Sequence, residues 1–167
     1  MNNDILIITT GGTFDSVFSP QKYKPTPAPH TLIKDFFDKY IRPQTNYEFL
    51  EFSQIDSVDM TEALREDLAK TILKTNFDRI LVIHGTDTII ETGKILNDRI
   101  DNKTVILTGA FIPFSFHPSD GGFNLGYALN AAQNLDNGVY IAMNAKIYKP
   151  EYSYKDFENL VFVETDK

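Results

Sequence analysis

Three short segments of this chain carry hydroxyls, two of them beside carboxylates and two of them beside glycine: Thr10-Gly11-Gly12-Thr13, Asp56-Ser57-Val58-Asp59 and Gly85-Thr86-Asp87-Thr88. Glycine permits a tight turn and lets a ligand come close to the backbone. Backbone N–H groups in such a turn can stabilise a developing oxyanion. A threonine hydroxyl beside it is a candidate nucleophile, but a weak one until a neighbour accepts its proton. On its own, Gly-Gly-Thr reads as an ordinary strand ending. Thr13 gains weight only if the three segments meet.

The flanking elements predict that they do. Residues 5–8 are a short apolar run rich in β-branched side chains and closed by Thr-Thr-Gly-Gly, which reads as a buried strand. Residues 14–29 hold Pro20, Pro25, Pro27 and Pro29 and read as a long loop, a kind of segment that is often functional. Helical spacing runs over residues 30–40, and residues 47–52 form the next strand. Asp59 and Thr61 stand where a helix cap belongs, ahead of Leu64, Leu68, Ile72 and Leu73. Then follow a strand at 79–83, a helix at 89–100, a strand at 103–108, a helix at about 122–135 and a strand at 139–143. The polar, aromatic stretch from Asn144 onward has no clear element.

Strands alternating with helices predict an α/β fold. The expected form is a doubly wound, mostly parallel sheet with helices on both faces, a Rossmann-like or flavodoxin-like three-layer sandwich. Ligands of such sheets bind beyond the carboxyl ends of the strands, and each of the three segments follows a strand. No repeat, low-complexity tract or linker divides residues 1–167, so one domain is expected.

Composition narrows the function. A hydrophobic content of 42% and a charged content of 23% are those of a globular protein rather than a disordered one. A net charge of −7 argues against nucleic acid as a partner. Without cysteine there is no disulfide, thiolate chemistry or cysteine-held zinc, and the three histidines have no metal-binding spacing. No apolar run has the length of a membrane span, and the amino terminus lacks a signal peptide's basic start. The expectation is a cytoplasmic protein without metal or cofactor. Dinucleotide binding is disfavoured, because the first glycine pair fits neither phosphate-binding pattern and leads into prolines rather than a helix.

In order along the chain, Ile7-Ile8-Thr9-Thr10-Gly11-Gly12-Thr13, Asp56-Ser57-Val58-Asp59-Met60, Val82-Ile83-His84-Gly85-Thr86-Asp87-Thr88, Leu107-Thr108-Gly109-Ala110 and Ser119-Asp120-Gly121-Gly122-Phe123-Asn124-Leu125 resemble the amino-terminal domain of the bacterial asparaginase/glutaminase family. The resemblance implies an amidohydrolase that releases ammonia from asparagine or a related small amide through an acyl-enzyme. It implies Thr13 as nucleophile, Thr86 as second hydroxyl and Asp87 as the carboxylate that holds the substrate ammonium. Ser57 would bind the substrate carboxylate, with Gly12 and Gly85 lining the site. Lys155 matches the family's proton-handling lysine, with Lys149 as the weaker option, and Tyr23 matches the tyrosine of its first loop. A homo-oligomer, dimer or tetramer, is implied as well.

Two departures bear on the substrate. Val58 stands where the larger members carry a polar substrate-binding residue, and Ile112 interrupts their Ala-x-Arg-Pro run. The resemblance is to a short form without the second domain of the larger enzymes. A non-catalytic amino-acid or amide-binding module that kept the pocket is therefore the alternative. Simpler roles also stand for single residues: Thr61 and Ser57 as helix caps, His84 as a packed strand-end histidine, Asp120 and Asn124 as anchors of a turn.

Overall fold

The computed structural model describes residues 4–165. Its first half runs β1 (Ile5–Gly11), β2 (Ser16–Ser19), β3 (Lys24–Pro27), α1 (Ile33–Phe36) extended by a π-helical turn (Phe37–Ile41), and β4 (Tyr47–Ile55). A 3-10 turn (Ser57–Asp59) leads to α2 (Glu62–Lys74), β5 (Arg79–Ile83), α3 (Ile89–Arg99) and β6 (Thr104–Thr108). The rest is α4 (Gly121–Asn134), β7 (Gly138–Met143), β8 (Lys146–Tyr148), a 3-10 turn (Pro150–Tyr152), β9 (Ser153–Asp156) and β10 (Val161–Glu164).

Strand β1 lies inside the sheet, and all seven of its residues are buried. Alternation sends Ile5 and Ile7 to one face and Leu6 and Ile8 to the other, and each pair meets an apolar layer. Burial on both sides explains why this strand is a continuous apolar run. The main sheet has the order β4-β1-β5-β6-β7-β8. Its first five members are parallel, and β8 closes the edge antiparallel to β7. In chain order those five parallel strands run second, first, third, fourth, fifth, so the strand order reverses between β1 and β5. A doubly wound sheet opens its ligand crevice at that point.

Helices cover both faces. Leu68 and Ile72 of α2 and Ile89 and Leu96 of α3 pack with Leu6, Ile8, Val82 and Leu107. On the opposite face Ile33, Phe37, Leu125, Ala128 and Ala132 pack with Ile5, Ile7, Leu81 and Ile106. Each fully buried Leu or Ile stabilises the fold by about 1.5–3 kcal/mol. The α2 cap is Thr61, whose Oγ1 accepts the Leu64 N–H at 3.3 Å. Among the described residues no helix is long and apolar enough to cross a membrane.

Residues 14–29 differ from the long loop expected of them, for β2 and β3 pair there as an antiparallel hairpin. Pro25 faces Phe18 and Pro27 faces Ser16, at alternate positions of one strand. Both missing N–H groups therefore fall on the same side, and an isolated two-stranded ribbon tolerates proline there. The helix read over residues 30–40 starts at Ile33, widens into the π turn at Phe37 and stops at Arg42, which is left-handed with φ 42°. At the carboxyl end β9 and β10 form a second ribbon. Phe162 of that ribbon joins the α2/α3 layer.

Candidate active site

The ends of β1 and β5 meet at the point where the strand order reverses. Gly12 has φ +73°, which favours glycine, and a Cβ added there would lie 2.4 Å from the Cα of Gly85. A Cβ added to Gly85 would lie 2.5 Å from Ser57 Oγ. Gly12, Gly85 and Ser57 are thus in van der Waals contact, and two of them have no room for any side chain. Hydrogen bonds fix the three segments. Thr10 Oγ1 donates to Ile83 O at 3.0 Å, the Gly12 N–H donates to Ile55 O at 2.8 Å, and Thr88 Oγ1 donates to Ser57 O at 2.7 Å.

Next to the two glycines stand Thr13 and Thr86. Thr13 is half-buried, and its hydroxyl makes no hydrogen bond among the described residues. Thr86 is buried and accepts a hydrogen bond from Lys155 Nζ at 2.9 Å. The same ammonium forms an ion pair with Asp87 Oδ1. Lys155 comes from β9, and its side chain is only 5% exposed, whereas that of Asp87 is 48% exposed. A hydroxyl held on an ammonium, with a carboxylate beside it facing solvent, can pass a proton and can hold a cationic ligand group.

A family profile described as "Asparaginase, N-terminal" matches residues 4–159. The chain belongs to the asparaginase family. It is similar to L-asparaginase 1 of Escherichia coli strain K12, 32% identical over 152 residues that cover 87% of this chain and 45% of that protein. L-asparaginase of Thermococcus kodakarensis is 29% identical over 86% of this chain and 44% of its own length. The crystal structure of L-asparaginase I from Vibrio cholerae superposes with a TM-score of 0.83 at 29% identity, covering 96% of this chain and 51% of that one. The chain spans about half the length of the curated relatives it matches.

Among the residues expected in the site of an asparaginase, the structure brings Gly12, Ser57, Gly85, Thr86, Asp87 and Lys155 into one connected cluster, with Thr13 beside it in the chain. Tyr23 lies apart. It sits at the turn between β2 and β3 with φ 51°, 87% exposed and without a hydrogen bond to its hydroxyl among the described residues. Lys149, the weaker lysine candidate, lies with its Nζ 3.8 Å from the Tyr140 ring centre. Val58 and Ile112 are both exposed.

Three buried polar supports stand behind the cluster. His84 is wholly buried, and burial, aided by the charge of Arg65, lowers its pKa to about 4. Arg65 Nε donates to Thr92 Oγ1 at 2.9 Å, Thr92 Oγ1 lies 2.9 Å from His84 Nε2, and His84 Nδ1 lies 2.8 Å from Gly85 O. That order fits an imidazole protonated on Nδ1 and donating to the carbonyl before Thr86. Asp15 is buried at the base of the β2–β3 hairpin and accepts the Leu32 N–H at 2.7 Å. Desolvation raises its carboxyl pKa against the lowering effect of bonds from Thr31, Leu32 and Gln54. Asp120 accepts the N–H groups of Phe111 and Ile112 at 3.0 and 2.9 Å, and Asn124 Nδ2 donates to Gly109 O at 3.0 Å. Both therefore anchor the turn after β6. The packed strand-end role of His84 and the turn-anchoring role of Asp120 and Asn124 are those read from the sequence, whereas Asp15, inside the residues read as a loop, was missed.

Proposed function

We propose that the protein is an amidohydrolase that releases ammonia from asparagine or a related small amide. The observation that carries the reading is Lys155 Nζ between Thr86 Oγ1 and Asp87, where the cation, hydroxyl and carboxylate of a proton relay lie together. Thr13 Oγ attacks the amide carbon, its proton passes to the departing nitrogen, and ammonia leaves an ester on Thr13. Water then cleaves that ester to a carboxylic acid and free Thr13. Asp87 receives the substrate ammonium and Ser57 its carboxylate, while the Gly12 and Gly85 backbones leave room for the substrate beside them. The names of the three relatives described above, each an L-asparaginase, support the substrate class. Exposed Tyr154, Leu160 and Val161 on the last ribbon support self-association as a dimer or tetramer, which light scattering tests.

The test is ammonia release from asparagine, glutamine and a panel of small amides. Thr13→Ala and Thr86→Val each lower turnover by a factor on the order of 10²–10⁴, Thr13→Ala with an unchanged melting temperature. Absence of ammonia from every amide in the panel overturns the reading. A second reading, an amide-binding module without turnover, is favoured by the Thr13 hydroxyl, which makes no hydrogen bond among the described residues, and by the exposed Tyr23. It predicts that aspartate raises the melting temperature by linkage while no substrate is consumed.

A further inference from the structure

Lys155 is enclosed in a way that the relay alone does not require. An ammonium has three N–H donors. Two are taken by Thr86 Oγ1 and Asp87 Oδ1. No third hydrogen-bond acceptor for Nζ stands among the described residues, yet the side chain is almost wholly shielded from solvent. What surrounds it instead are two aromatic rings. The Phe157 ring centre lies 4.7 Å from Nζ and that of Phe111 lies 5.3 Å away. Both distances are within the range where a ring's electron-rich face attracts a cation.

The rings come from different places and are held differently. Phe111 follows β6, its N–H bound by Asp120, and its ring packs on Phe162 of β10 with centres 6.1 Å apart. Phe157 directly follows β9, two residues after Lys155, and is 62% exposed. A large apolar side chain left that far in solvent buries little area of its own. The charged group beside its ring is the Lys155 ammonium. The turn that presents it is itself pinned, since Asp156 accepts the N–H groups of Glu158 and Asn159 at 2.9 and 3.0 Å.

We propose that Phe157 and Phe111 form an aromatic clamp in which they are positioning residues, holding the Lys155 ammonium on Thr86 and excluding water from the third N–H. This rests on the relay reading for its catalytic consequence, but the clamp is a property of Lys155 that is measurable without turnover. Phe157 is the better probe because, at a surface turn, its replacement removes the clamp without opening the core.

The experiment compares Phe157→Ala, Phe157→Leu and Phe157→Tyr in the purified protein. The first readout is the rate at which an amine-selective acylating reagent modifies Lys155, followed by mass spectrometry with exposed Lys70 as internal reference. Phe157→Ala raises that rate by about 2–30-fold, the range corresponding to loss of a shielded cation–ring contact, while Lys70 is unaffected. Phe157→Leu keeps an apolar cover and gives an intermediate rise, and Phe157→Tyr behaves as the parent. The second readout is amide turnover, where Phe157→Leu lowers kcat with KM held within about twofold and Phe157→Tyr restores it. An unchanged Lys155 rate in Phe157→Ala overturns the clamp. A raised rate with undiminished kcat overturns its positioning role. A raised rate in a protein that hydrolyses no amide leaves the clamp standing and overturns the proposed function instead.

Discussion

Adding one methyl group to each of three glycines tests whether β1 and β5 converge as closely as the site needs. At Gly12 an alanine Cβ would lie 2.4 Å from Gly85 Cα and 2.5 Å from Gly85 N, both backbone atoms that cannot rotate away. The positive φ of +73° adds a left-handed penalty of about 1–2 kcal/mol for an L-residue. Overpacking of a rigid contact adds about 1–3 kcal/mol. The combined cost of Gly12→Ala is about 2–5 kcal/mol, which in a chain of this size lowers the melting temperature by roughly 4–20 °C. Gly85→Ala has no φ penalty, and its clash is with the Ser57 side chain, so it costs about 1–3 kcal/mol. Gly126 is the control. It lies on the exposed side of α4 with nothing within 4 Å of an added Cβ, so Gly126→Ala gains about 0.5–1 kcal/mol of helix propensity. Thermal unfolding followed by circular dichroism ranks the three. If Gly12→Ala melts within 2 °C of the parent, where the estimate requires a larger fall, or falls no further than Gly126→Ala, the close approach of the two strands is refuted, and with it the site built on it.

Acid stability should carry the signature of His84. Its pKa is about 4 in the folded chain against 6.5 unfolded, so the unfolded state binds the proton first as pH falls. The contribution is fully present above pH 6.5 and is lost progressively towards pH 4, amounting to about 3 kcal/mol. Asp15 acts with the opposite sign, since a raised carboxyl pKa favours the fold at low pH and that advantage is lost as pH rises through it. Subtracting the Tm–pH curve of His84→Gln from that of the parent isolates the histidine, and a flat difference between pH 6.5 and 4 refutes the assignment. Thr61→Ala removes the cap bond to the Leu64 N–H and should cost about 1 kcal/mol by urea unfolding. A cost indistinguishable from zero would mean that the α2 terminus draws its stability elsewhere.

Five parallel strands and the three long helices were legible because their signals are local: apolar runs for buried strands, 3.6-residue spacing for helices and a Thr cap ahead of Glu62. The close approach of Gly12, Ser57 and Gly85 was legible at one remove, through the rule that parallel strands present their carboxyl ends together. The β2–β3 hairpin was not, because Pro25 and Pro27 argue against a strand unless their partner register is known. The last ribbon was obscured for a related reason. Lys155 and Phe162 face each other across β9 and β10, but their neighbours Tyr154, Phe157 and Val161 are exposed, so no apolar alternation marks the strands. Buried polar supports leave the weakest trace of all. His84, Thr92 and Arg65 are far enough apart in sequence that only the packing of α2 and α3 joins them.

The two threonines of the site owe their positions to different physics. Thr86 is fixed by elements that pack without it: β5 inside the sheet, His84 on the preceding carbonyl and Lys155 on its hydroxyl. Thr13 begins the segment that becomes the hairpin, and among the described residues the hydrogen bonds that tie the hairpin to the rest of the fold lie at its base. There the Ala28 N–H donates to Asp15 O at 2.8 Å, the Phe114 N–H to Phe14 O at 3.1 Å and Ser115 Oγ to Ser16 O at 2.7 Å. Towards its tip the side-chain hydrogen bonds are local, Ser19 with Gln21 and with the Lys22 N–H. A two-stranded ribbon without further partners is marginal in water. Lys155 and Thr86 are thus held by packed elements of the fold, whereas Tyr23 stands exposed at the tip of the ribbon. Tyr23→Phe should then leave the melting temperature of the free protein unchanged and lower turnover alone. A fall in stability would mean that the tyrosine already has a structural task where it stands.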